Sequence, residues 1–173
     1  PRLYQSSMDA VTRGTSDGLN IYLNILAILI VLIAFVALLN GVVGTLPDVA
    51  GAPLTLERIA GWIFAPIAWL MGIPWAEAQT TGSLLGIKSI LNEFIAFLQL
   101  ADMPAGALSE HSRLITIYAI AGFANLSSIG IQISGIGAMA PERRNDLANL
   151  GFRALVAATL AACMNGAIVG IVA

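Results

Sequence analysis

Long apolar stretches without charged residues dominate the hydropathy pattern of this chain. The segments 21–46, 114–140 and 154–173 contain no Asp, Glu, Lys or Arg. At about 1.5 Å per residue, each is long enough to cross a hydrocarbon core roughly 30 Å thick. We therefore predict an all-α, polytopic membrane protein with transmembrane segments at these three places and a cytoplasmic lead-in at 1–20.

The apolar segment 55–75 differs from these three because it is shorter and contains Pro66. It is too short to span a bilayer in a regular helix. Trp62, Trp69 and Trp75 cluster there, and tryptophan is enriched at membrane–water boundaries. We predict that 55–75 is an interfacial or buried helix.

The segment 80–104 is moderately apolar but carries Lys88 and Glu93 in its middle, with Asn92 directly before Glu93. Neither half can cross a bilayer alone, so two short helices that meet at this polar tip predict a re-entrant helical hairpin. Such a structure is tolerated at membrane depth where protein buries it or where it lines a watery cavity. The alternative is one amphipathic helix over 82–100 at the membrane surface, with Glu93 in water.

The middle of 114–140 reads GFANLSSIG, in which Asn125, Ser127 and Ser128 are polar and glycines stand on both sides. This pattern favours a discontinuous transmembrane helix, the kind that forms midplane substrate sites in secondary transporters. The alternative is a continuous helix whose serines bond to neighbouring helices.

Composition supports the membrane interpretation and excludes several other classes. Hydrophobic residues make up 58% of the 173 residues, charged residues make up 10%, and mean hydropathy is +0.86. The formal net charge of -2 argues against a nucleic-acid partner. Cys163 and His111 are the only residues of their types, so we expect no disulfide, metal site, cofactor or enzymatic centre.

Arginines occur in the lead-in and in the loop before the last span, which the positive-inside rule places in the cytoplasm. The C-terminus would then lie outside. The arginines concerned are Arg2, Arg13, Arg143, Arg144 and Arg153.

The chain begins with proline and lacks the apolar core and cleavage site of a secretory signal. We expect it to be the C-terminal piece of a longer protein.

Four side chains from the two polar segments could form a binding site. An intramembrane carboxylate is costly and therefore a functional candidate, and Glu93 offers about four lone-pair sites to hydroxyl donors. Asn125 and Ser128 are three residues apart and would share one helix face. Phe123 could stack on a planar group. Together they favour a sugar joined to something flat, although Ser128 could equally pack helices and Phe123 could be a core aromatic.

Three motifs closely resemble the C-terminal half of the concentrative nucleoside transporters: GIKSILNEF at 86–94, GFANLSSIGI at 122–131 and MAPERRNDLANLG at 139–151. The segment 54–75 also fits the family.

The resemblance implies a multi-pass homotrimer in the plasma membrane, here the bacterial inner membrane. Its partners would be a nucleoside, a coupling cation and the lipid bilayer. It would import nucleosides by ion-coupled symport with alternating access of an elevator-like kind. Whether the ion is Na⁺ or H⁺, and which base is preferred, stay open.

The resemblance also implies roles for the four candidates. Glu93, at the tip of the second hairpin, would bind the ribose hydroxyls, which Asn125 and Ser128 would also reach, and Phe123 would pack against the base. The family's first hairpin has no counterpart in this chain, so we expect half a site and no transport by these residues alone. The competing function is a membrane channel or a structural membrane subunit without nucleoside transport.

Overall fold

The computed structural model describes residues 6–49 and 51–173, apart from the side chains of 24, 25, 28, 29, 32, 134, 138 and 139. Over that part of the chain the structure is helical, with no strand beyond an isolated bridge between Val49 and Ala52. The all-α prediction is thereby confirmed. Arg2, in the predicted lead-in, lies outside the described residues. The helices are α1 (Ser7–Val43), α2 (Leu56–Leu70), α3 (Trp75–Ile90), α4 (Glu93–Asp102), α5 (Glu110–Ile120), α6 (Leu126–Met139) and α7 (Arg144–Val172), with a 3₁₀ turn at Pro141–Arg143.

The chain divides into two compact units. The first, Pro1–Phe35, contains the greater part of α1, and the second, Val36–Ala173, contains its last turns and every later helix. Within the second unit, Asn40 accepts a hydrogen bond from the backbone N–H of Leu56 at 2.8 Å. Its amide also donates to both oxygens of Glu57 at 3.0 Å. These bonds satisfy donors and acceptors at the otherwise unpaired start of α2.

The helices α2 and α3 form a sharply bent pair that packs through small residues. Their axes differ by 119°, and Gly72 between them has φ 99°, a conformation that glycine adopts without strain. A Cβ added at Gly82 would lie 2.6 Å from the carbonyl oxygen of Gly61 and 2.9 Å from the nitrogen of Ala65. Glycine therefore permits the close approach that holds α3 against α2.

Leu91 and Asn92 separate α3 from α4 and form, with Glu93, what we call the hairpin tip. Asn92 is extended, with φ -169° and ψ 172°, and its side chain accepts from the N–H of Ile95 at 3.0 Å. It is thus the N-cap of α4. The segment is two helices and not the single helix over 82–100. Because α3 begins at Trp75, the first of the two helices begins before the start predicted for the hairpin at 80–104. The depth of this hairpin in a membrane stays a prediction.

Residues 121–125, which we call the helix break, separate α5 from α6. The helix α5 ends at Ile120 with Ala121 as C-cap, and Asn125 is the N-cap of α6. A Cβ added at Gly122 would lie 2.8 Å from the Cβ of Ala162 on α7 and 3.9 Å from Nζ of Lys88 on α3. The break therefore lies against both α3 and α7.

One helix in the described part of the chain, Pro141–Val172, is long and apolar enough to cross a membrane by itself. The bent pair of α2 and α3 passes the same test when it is taken together, and Ile33–Val43 and Leu126–Gly137 are shorter apolar helices. The last helix begins well before the predicted span 154–173, because polar residues continue it beyond the apolar run. The positions of the predicted segments within a bilayer stay predictions.

Candidate functional site

One hydrogen bond between side chains joins the hairpin tip to the helix break. The Nδ2 amide of Asn125 donates to Oε2 of Glu93 at 3.1 Å, across 32 residues of sequence. Glu93 is the first residue of α4 and Asn125 is the N-cap of α6, so two helix N-termini converge here. Helix N-termini carry partial positive charge, which stabilises a carboxylate at this point. The predicted site residues Glu93 and Asn125 are therefore in direct contact.

The other end of the Asn125 amide shapes the start of α6. Its Oδ1 accepts from the backbone N–H of Ser128 at 2.8 Å and from the hydroxyl of Ser127 at 2.6 Å. The backbone N–H of Asn125 donates in turn to Oγ of Ser128 at 3.3 Å, which completes a capping box. Since Oδ1 is occupied in this way, Nδ2 is the end of the amide that faces Glu93.

This geometry differs from the expected one. The spacing of Asn125 and Ser128 predicts two residues on one face of a helix, whereas Asn125 lies just before α6 and Ser128 lies in its first turn. Both are buried, with exposed fractions of 0% and 4%. The local signal was present in the sequence, because asparagine followed three residues later by a side chain that can bond back is an N-terminal capping pattern.

Glu93 keeps unused capacity to accept hydrogen bonds. Its side chain is half-buried, and among the described residues the carboxylate takes the single hydrogen bond from Asn125 through Oε2. A carboxylate has about four lone-pair sites. Oε1 and the rest of Oε2 can therefore accept from hydroxyl groups of a ligand.

Phe123 and Ser128 line a cavity of about 320 Å³ between α6 and α7. Phe123 is 55% exposed, which leaves its ring available for contact with a planar group. The wall is mainly apolar, and Gln132 contributes an amide one turn beyond Ser128. Glu93 and Asn125 do not line this cavity. The candidate site therefore has two adjoining parts, the contact between Glu93 and Asn125 and the cavity. Ser128 and the helix break belong to both parts.

A fifth side chain, Lys88 on α3, was not singled out by sequence reasoning as a site residue. It is fully buried, and its Nζ has no hydrogen-bond partner among the described residues. The only signal in the sequence was a lysine within an apolar helix five residues before Glu93. Burial beside Gly122 depends on how α5 and α7 pack, which local sequence does not reveal.

Comparison with known proteins shows that the chain is similar to membrane transporters. A family model described as the C-terminus of Na⁺-dependent nucleoside transporters matches residues 2–170. "Uncharacterized transporter YutK" of Bacillus subtilis is 43% identical over 164 residues, covering 94% of this chain and 40% of the relative. "Nucleoside permease NupC" of Helicobacter pylori is 36% identical over 171 residues, covering 96% and 41%. The mouse "Sodium/nucleoside cotransporter 1" is 33% identical over 184 residues, covering 96% and 28%.

Solved structures agree with these relatives. The chain is similar to CNTnw in an inward-facing substrate-bound state, with TM-score 0.82 and 38% identity, covering 98% of this chain and 42% of that one. A CNTnw variant in an intermediate state gives TM-score 0.87 at 38% identity, with coverages of 98% and 43%. The chain thus spans less than half the length of the relatives and structures that it matches.

Proposed function

The chain belongs to the concentrative nucleoside transporter family, whose C-terminal domain it matches, and from this membership we propose that it supplies the ribose-binding half of a nucleoside carrier. The complete protein would import nucleosides by ion-coupled symport. The observation that carries the proposal is the hydrogen bond from Asn125 to Glu93, which joins the hairpin tip to the helix break and leaves carboxylate lone pairs for a ligand.

Glu93 suits the recognition of a ribose because adjacent sugar hydroxyls can both donate to one carboxylate. Hydrogen bonds to an ionised acceptor are shorter and stronger than those between neutral groups. Asn125 holds the carboxylate in place through Nδ2. In this proposal Ser128, which borders the cavity, also reaches the sugar.

Phe123 would supply the contact with the base. Its exposed ring borders the cavity between α6 and α7, and aromatic stacking tolerates both purines and pyrimidines, since every base has a flat face. The preference for one base would then depend on groups outside this contact, including those supplied by the rest of the carrier.

Transport requires that the site open to each side of the membrane in turn. We propose that the hairpin tip and the helix break move together in an elevator-like way while a trimeric scaffold stays fixed, driven by a Na⁺ or H⁺ gradient. Support comes from the discontinuous helices, which in secondary transporters carry midplane sites, and from relatives named as sodium/nucleoside cotransporters. A bacterial inner membrane is the proposed location.

The test is uridine uptake by the complete carrier in proteoliposomes, under a Na⁺ gradient and under an H⁺ gradient separately. We expect uptake that saturates with uridine, that one of the two gradients drives, and that uridine analogues with both ribose hydroxyls inhibit. A channel or a structural subunit would give no saturable uptake. Absence of uptake under both gradients, with the protein correctly inserted, would contradict the proposal.

A further inference from the structure

Among the described residues, Lys88 is the largest of the fully buried side chains, and its Nζ has no hydrogen-bond partner there. The exposed fraction of this side chain is 0%. An ammonium removed from water loses much of its hydration energy unless opposite charge compensates it. Methionine or leucine would fill similar space without this cost, so the charge itself requires an explanation.

The ammonium lies at the helix break. A Cβ at Gly122 would be 3.9 Å from Nζ, and Gly122 follows Ala121, the C-cap of α5. The last carbonyls of a helix carry roughly half a negative charge in total. Lys88 therefore places its positive charge beside the negative end of α5, at the point where that helix stops.

Glu93 completes a complementary arrangement. It follows Lys88 by five residues and is the first residue of α4. The same carboxylate is bonded to Asn125, the N-cap of α6, where the helix end is positive. The hairpin thus presents a cation near the end of α5 and an anion at the start of α6.

We propose that Lys88 is a positioning residue of the nucleoside site. Its ammonium balances the Glu93 carboxylate and the end of α5, and so holds the hairpin tip against the helix break in the geometry in which Glu93 accepts from sugar hydroxyls. This inference rests on the proposed function, because it assigns Lys88 a role in the recognition of the ribose.

The experiment compares Lys88→Met with Lys88→Arg in the complete carrier, by measuring Kd for uridine and for 2′,3′-dideoxyuridine. The two ligands have the same base, and only uridine has the 2′ and 3′ ribose hydroxyls that Glu93 would recognise. In Lys88→Met we expect uridine affinity to fall roughly tenfold, while affinity for the dideoxy analogue changes less than about twofold. Lys88→Arg keeps the charge and should retain most of the preference for uridine.

A purely structural role for Lys88 predicts something else, namely that Lys88→Met weakens both ligands by the same factor and leaves the uridine preference intact. That result would overturn the inference. Failure of the proposed function is distinguishable, because the wild-type carrier would then bind neither ligand or would not prefer uridine over the analogue.

A companion variant covers the case in which Lys88→Met does not accumulate in the membrane. If the lysine balances Glu93, the loss of the cation leaves a carboxylate without compensation, and Glu93→Gln should correct this. The double variant should then accumulate to near the wild-type level, as measured by fluorescence-detected size exclusion. If the double variant accumulates no better than Lys88→Met alone, charge balance is the wrong explanation.

Discussion

At Asn125 a single amide closes the first turn of α6 through Oδ1 and holds the Glu93 carboxylate through Nδ2. The two interactions can be separated by substitution. Serine is about as good an N-cap as asparagine, whereas alanine cannot cap. Serine is also too short to take the place of Nδ2 beside Glu93.

We expect Asn125→Ser and Asn125→Ala to lose uridine affinity to a similar extent, at least fivefold, because both remove the donor to the half-buried Glu93 carboxylate. Asn125→Ala should be less stable than Asn125→Ser by about 1 kcal/mol, the typical contribution of an N-cap. Isothermal titration and thermal unfolding of the purified carrier measure the two effects. Wild-type affinity in Asn125→Ser would show that the contact with Glu93 is unimportant for binding.

Phe123 in the helix break and Leu126, the first residue of α6, form a matched pair of apolar residues, with exposed fractions of 55% and 48%. Phe123→Ala should raise the KM for uridine severalfold, since an aromatic contact contributes about 0.5–1.5 kcal/mol beyond the area it buries. Because the ring is exposed, Tm should change little. Leu126→Ala is the control, and an equal rise in KM there would remove the case for a specific base contact.

Among the helices, the position of the break depends on the contact between Gly122 and α7. A methyl at Gly122 would lie 2.8 Å from the Cβ of Ala162, closer than van der Waals contact allows. Gly122→Ala should therefore lower the Tm and the uridine affinity together, by forcing α7 away from the break.

The compensating variant makes this prediction specific. Ala162→Gly removes the methyl that Gly122→Ala would strike, so the double variant should recover much of the lost Tm, less the cost of glycine within α7, roughly 1 kcal/mol. Thermal unfolding of the four proteins in the same detergent measures the coupling. Strict additivity of the two substitutions would mean that the contact does not limit the packing.

Local patterns indicate the two interruptions, at 91–92 and 121–125, better than they indicate the start of α7. Asn92 and Asn125 are both N-caps, and a cap acts through bonds to its own first turn, so the sequence carries a local signal for each interruption. Hydropathy identified only the apolar part of α7, which begins at Arg144. The contact of Asn125 with Glu93 and the burial of Lys88 depend on packing between distant helices, and no local signal specifies them.

For the whole molecule, the chain spans about 40% of the length of the bacterial relatives YutK and NupC. We therefore expect residues 1–173, expressed alone and inserted in a membrane, to give no saturable uridine uptake. Uptake above that of empty vesicles would show that these residues contain a complete transport site.

The central claim is that Glu93 recognises the nucleoside through its ribose, and Glu93→Gln in the complete carrier tests it most directly. Glu142→Gln, an exposed position in the 3₁₀ turn, is the matched control. Uridine uptake should fall at least tenfold in Glu93→Gln, because a neutral amide accepts more weakly and through one oxygen, and it should be unchanged in Glu142→Gln. Uptake by Glu93→Gln at the wild-type rate and KM would contradict the account.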